Sequence, residues 1–365
     1  MTATVMPTTG SSSKASEPYP WILHPVIDLL MVCGGLTAVL LALIMIFPHT
    51  FVKGSNVCFS ITVASLVIFS MPHGIASYLR VYNSRNKALV KPVTLLAVAV
   101  AVACFAGLVW PLAFAIMARV TYFFGIQHLL KQSYGISLLY CYKRKFFFSK
   151  WEQKAFLLIA QTALLQSMAI LLSRSDALIA GFPLGPAWLP LWTVPVADGI
   201  FFASLALFVG VCLRKYIKEK KVMPWPAALC MFITLVIGGS LRITGVDAIV
   251  LAFLTAPNFH LTQYVVVTTA YHLKDIGLPE NVPANQIASQ LIKPVALKYF
   301  SFLFGAGFIT SILIIPSVWK VGMLFGFTGP AVAAAVFMAI NLHHYFTDAM
   351  IWRQRDPEVR KLLVA

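Results

Sequence analysis

An all-α, polytopic membrane bundle of about ten transmembrane helices, with both termini in the cytosol, is the fold class this sequence predicts. Three observations carry it. Of 365 residues, 59% are hydrophobic and 11% charged, against roughly 25% charged in ordinary soluble domains. The apolar residues run in blocks about 20 long, the length that crosses a hydrocarbon core about 30 Å thick. The basic residues lie in short runs between those blocks and are distributed unevenly between alternate loops. This composition excludes disordered, collagen-like and disulfide-scaffold chains.

The elements follow in order. Residues 1–20 (MTATVMPTTGSSSKASEPYP) are polar, hold one Lys, one Glu and three Pro, and read as a disordered cytosolic tail. Spans are expected at about 21–47, 57–80, 92–111, 112–142, 152–173, 195–213, 223–241, 246–273, 297–316 and 321–352. Residues 21–352 then form a single transmembrane domain and 353–365 a basic cytosolic tail. An even number of spans places both termini on one side. Of the 28 Lys and Arg, only Lys53, Arg174, Arg242 and Lys320 fall on the far side, and Arg119 and Lys131 fall inside the fourth span. All the others lie on the side of the termini, and the positive-inside rule makes that side cytosolic. The outer loop 174–194 contains GFPLGPAWLPLW, where Pro and Gly oppose a long helix and Trp188 and Trp192 suit the membrane interface.

Two further readings are set aside. A net charge of +16 suits nucleic acid only when the basic residues share a soluble face, which these do not, so no nucleic-acid partner is expected. The six cysteines form no C-x-x-C pair and read as small hydrophobes. Gly34, Gly35, Gly305 and Gly307 read as close-packing positions.

Ionisable groups cost roughly 2.5 to 3.5 kcal/mol each at the centre of a spanning helix, so those present mark a cavity or site. Here they are mostly histidines. His49 belongs to the outer side; His24, His73, His128, His260, His272, His343 and His344 fall in or near the cytosolic half, from five spans. His128 shares a helix face with Gln132, His260 with Gln263 and His344 with Asp348, while His343 is rotated about 100° from its neighbour. His24 stands four residues before Asp28. Pro257 precedes His260 by three residues, where a lost backbone hydrogen bond would open a kink. Gln132 and Gln263 read as interhelical hydrogen-bond glue. His24 and His272, at helix ends, suit capping as well as ligation.

Neutral imidazole is the commonest metal ligand, and a ligating His usually donates its other N–H to a carboxylate or carbonyl. The expected metal ligands are His73, His128, His260 and His344, with His24 and His343 as further candidates. Asp28 and Asp348 would orient them, and Lys131 would meet the polar end of a substrate. Histidines without cysteines and with few carboxylates favour iron, copper or zinc over magnesium or calcium.

The cytosolic histidine cluster resembles that of membrane desaturases and hydroxylases, although their H-x-x-x-H and H-x-x-H-H boxes are replaced here by His128-x-x-x-Gln132, His260-x-x-Gln263 and the His343-His344 doublet. A second resemblance is to the bacterial Brp/Blh-type β-carotene oxygenases, carried by the size class, by His24 and His73 and by the dipeptide at His73 and Gly74. It implies one non-haem iron held by histidines from several helices. The functional expectation is therefore a membrane oxidoreductase acting on a lipid, carotenoid or other isoprenoid that arrives through the bilayer lipids, with a redox partner. The alternatives are a proton-coupled transporter using the same histidines as a relay, and a subunit binding haem or pigment through axial histidines.

Overall fold

The computed structural model describes residues 19–47, 49–50, 57, 60, 68, 70–83, 87–175, 178–179, 182–183, 186–240, 248–276, 284–352 and 362–363; at 178–179, 182–183, 237–240 and 248–257 it describes the backbone alone. The expected N-terminal tail through residue 18, most of the second span before residue 70, Cys58 and most of the C-terminal tail lie outside the described residues.

The described chain is all-helical apart from one small hairpin. We label the principal helices α1 (Gly35–Ile46), α2 (Met71–Asn83), α3 (Val90–Ala106), α4 (Pro111–Lys143), α5 (Lys150–Leu172), α6 (Thr193–Glu219), α7 (Trp225–Ser240), α8 (Ala248–Asp275), α9 (Pro294–Ile309), α10 (Ile315–Leu324) and α11 (Gly329–Ile351). Among the described residues, five helical stretches are long and apolar enough to cross a membrane: Lys87–Val109, Pro111–Lys143, Lys150–Leu172, Thr193–Glu219 and Pro294–Leu324. A sixth results if the short helical stretch Pro25–Val32 and α1, bent by 46°, count as one span. α11 is long but not among them: His344, Thr347 and Asp348 interrupt its apolar run and are buried. On α8, whose side chains are described from Asn258 onward, Gln263, Thr268 and Thr269 are buried.

Several local devices have clear causes. Asp28–Val32 is a π-helical turn and Gly34 follows it with φ +88°. A side chain at that residue would be strained in this left-handed conformation and would come within 2.8 Å of Ile233. The chain therefore turns sharply before α1. α9 passes through a second π turn, Thr310–Ile314, into α10, where Pro316 sits near the start with no N–H to donate. Residues 317–324, expected in the inter-span loop and the start of the last span, belong instead to this helix. The break comes afterwards at Gly326 (φ +84°). α5 opens with a capping box between Ser149 and Glu152, and Lys215 of α6 reaches Glu152 at 3.1 Å. In the loop 174–194, Leu178–Ile179 pairs antiparallel with Phe182–Pro183. Arg119, buried on α4, holds the next segment by donating to the Pro186 carbonyl (2.9 Å) and stacking over Trp188.

α2, α4, α8 and α11 meet at the centre: α2 and α4 each pack against both α8 and α11. α9 lies against α2, and Gly307 makes the approach close, since a β-carbon there would fall 2.9 Å from Pro72. Gly305, expected to be a packing position as well, faces open space.

Candidate metal centre

Each of the four central helices contributes one buried or largely buried histidine: His73 from α2, His128 from α4, His260 from α8 and His344 from α11. One ring nitrogen of each lies within 4.8 Å of the corresponding nitrogens of the other three. The Nε2 atoms of His73 and His344 approach to 2.5 Å. Ring centroids are 4.9 Å apart for His73 and His260, 4.7 Å for His128 and His260, and 5.1 Å for His128 and His344.

A second layer lies one helical turn further along each chain. Residues four apart stack on one face, and each histidine has such a partner: Ser77, Gln132, Tyr264 and Asp348. Ser77 Oγ and Tyr264 Oη both donate to Asp348 Oδ1, at 2.7 and 2.9 Å. Ser77 also lies 3.2 Å from His344 Nδ1, and Trp352 Nε1 donates to Tyr264 Oη at 3.0 Å. Ser77, Tyr264 and Asp348 are displaced in the same sense from their histidines, so α2, α8 and α11 run in the same direction. Gln132 instead donates to the His260 carbonyl (2.9 Å) and to Gln263 (3.1 Å), and Gln263 donates to the Val32 carbonyl (2.9 Å). The two glutamines thus tie α4, α8 and the N-terminal turn together.

The polar atoms left over test whether the site fits a metal. Buried polar groups are nearly always hydrogen-bonded, because leaving one unpaired costs roughly 1 to 3 kcal/mol. Yet His73 Nδ1, His128 Nε2, both ring nitrogens of His260 and Asp348 Oδ2 are buried without a hydrogen-bond partner. The unpaired nitrogens of His128 and His260, with the facing Nε2 atoms of His73 and His344, are donors for a cation, and their chemistry suits a transition metal. The residues present fit such an ion.

The remaining candidates stand elsewhere. His343 points away from the four rings: its Nδ1 meets Tyr78 Oη at 2.6 Å and its Nε2 meets the Val93 carbonyl at 2.9 Å. The 100° offset between helical neighbours allows only one of the doublet to face the centre, and that one is His344. His24 caps the first helical turn by accepting from Val26 N–H (3.3 Å). Asp28 does not orient a histidine ring. It accepts from the backbone N–H groups of Ile22 (2.6 Å), Leu23 (3.1 Å) and His24 (3.3 Å) and from Tyr140 Oη (2.8 Å). His272 stacks on Tyr299, and His49 is exposed. Ser77 and Tyr264 were not anticipated; the recurring four-residue spacing after each histidine is the signal that would have found them.

A cavity of about 420 Å³ borders the cluster, lined by His128 and Asp348 together with Phe124, Gln127, Lys131, Ile136, Leu139, Tyr264, Val267, Tyr345, Phe346, Trp352 and others. This is the size range of a site for one small molecule. Its wall on α4 runs from Phe124 to Leu139, roughly 22 Å at 1.5 Å per residue, so the space is elongated. Lys131 lies on that wall. No protein-family model, curated protein or solved structure matches this chain.

Proposed function

We propose that this protein is a membrane-embedded oxidoreductase, of the oxygenase, hydroxylase or desaturase type, that acts on a lipophilic substrate beside an iron ion held by His73, His128, His260 and His344. In this reading the chain crosses the membrane ten times with both termini in the cytosol, and the site lies in the cytosolic half. The observation that carries it is the convergence of four imidazoles, those of His128 and His260 with unpaired buried nitrogens, next to an elongated, mostly apolar cavity.

When bound, iron supplies one-electron and dioxygen chemistry that amino-acid side chains lack. The chain supplies position and dryness. Ser77 beside His344 Nδ1 orients that ring and leaves its Nε2 facing the centre. Phe124, Ile136, Leu139, Val267 and Phe346 hold a hydrocarbon chain and exclude water. Lys131 meets the polar end of the substrate.

The geometry favours this reading over its alternatives. A proton relay needs continuous hydrogen bonds, and His260 makes none through its ring. A haem macrocycle does not fit among four nitrogens within 4.8 Å of one another. The test uses iron-loaded protein in liposomes with a reductant, supplied in turn with oleic acid and β-carotene. Oxygen uptake that depends on the added lipid and stops on chelation is expected. Chelator-insensitive uptake of solute driven by a pH gradient, without oxygen consumption, would contradict the proposal.

A further inference from the structure

The geometry points to Asp348 as a fifth protein ligand of the metal, through Oδ2, rather than as a carboxylate that only orients a histidine. The inference rests on the proposed four-histidine centre and changes its ligand set. Asp348 Oδ1 is fixed by the donors Ser77 and Tyr264. That arrangement turns Oδ2 toward the rings, where it is buried and without a hydrogen-bond partner. It lies 3.6 Å from His128 Nε2 and 3.5 Å from His344 Nε2.

Those distances decide between the two roles. An orienting carboxylate accepts an imidazole N–H at about 2.7 to 3.2 Å, and both contacts are longer. Two ligands of one five-coordinate ion with bonds near 2.1 Å stand about 3.6 Å apart where they share its equatorial plane at 120°, which matches both contacts. The nitrogens involved face the centre: His344 Nδ1 meets Ser77, which leaves its Nε2 beside His73 Nε2, and His128 Nε2 is unpaired. Charge argues the same way. Four neutral imidazoles leave a divalent cation uncompensated in an apolar surround, and one carboxylate removes half of that charge. Five ligands including a hard oxygen suit iron or manganese better than four-coordinate zinc. The cavity that His128 and Asp348 line would lie beside an ion held by these residues.

Cobalt(II) is the probe, because the intensity of its visible bands falls steeply as coordination rises above four. Purified protein in detergent, loaded with one equivalent of cobalt, is expected to show the weak bands of a five- or six-coordinate ion. Asp348→Asn, with Asp348→Leu as a second variant, should give bands several-fold stronger and bind cobalt more than about 10-fold more weakly. His343→Ala, which removes a ring that faces Tyr78 and the Val93 carbonyl instead of the four converging nitrogens, should leave the band intensity unchanged. Intense four-coordinate bands in the unmodified protein would overturn the inference even if neither Asp348 variant folds. So would a cobalt-loaded Asp348→Leu spectrum identical to that of the unmodified protein. An unmodified protein that takes up no cobalt would instead defeat the four-histidine centre itself.

Discussion

His260→Ala is expected to abolish metal binding while leaving the bundle folded. The ring makes no hydrogen bond through either nitrogen, so its removal deletes no internal hydrogen bond and leaves a small cavity costing about 2 kcal/mol. The same deletion takes one of four converging donors from the ion. Metal affinity should fall by well over the 10- to 100-fold that even outer partners contribute, with a modest change in melting temperature. His343→Ala is the matched control. It removes a histidine that holds Tyr78 and the Val93 carbonyl, so it should cost about 1 to 3 kcal/mol of stability and leave metal content unchanged. His49→Ala should alter neither quantity. Elemental analysis of the three purified variants, with thermal melts, reads both effects, and equal metal content in all of them would refute the assignment.

Asp28→Ala is expected to do the opposite, destabilising the fold without touching the metal. The buried carboxylate satisfies three backbone N–H groups and the Tyr140 hydroxyl, and it seats the N-terminal turn against α8. Each donor left buried and unpaired costs roughly 1 to 3 kcal/mol, and partial rescue by water brings the expected total to about 4 kcal/mol. Detergent-purified Asp28→Ala should therefore melt far below the unmodified protein, and its folded fraction should keep a full complement of metal. Loss of metal at unchanged stability would place Asp28 in the site after all.

The contrast between Asp28 and Asp348 shows how much of this molecule could be read from its residues. Both carboxylates follow a histidine by four positions, and both spacings suggest a histidine with its orienting partner. Pro25 was the discriminating signal: at the first position of a helical turn it marks an N-terminus, where a carboxylate meets free backbone N–H groups. Asp348 lies in the last turn of α11, where the backbone N–H groups are already used within the helix. The helix positions were legible because long apolar runs have few other solutions. The end of the ninth span was not legible, because the π turn at Thr310–Ile314 lets the helix pass Pro316.

The site was legible in part for the same reason. His73, His128, His260 and His344 are rare polar residues in apolar surroundings, so each stood out alone. Their convergence depends on helix packing that a single sequence does not display. Ser77 and Tyr264 are ordinary residues in membrane helices, and only the shared i+4 spacing across parallel helices sets them apart. The choice between His343 and His344 required knowing which side of α11 faces α3, where Val93 accepts a hydrogen bond from the outward ring.

The central claim is that four imidazoles from α2, α4, α8 and α11 hold one ion. Elemental analysis of the unmodified protein, purified in detergent without chelator, tests it most directly. The account predicts one transition-metal ion per chain, iron, removed by a strong chelator and restored on adding iron(II). Metal well below one per chain after reconstitution with iron(II) would contradict it.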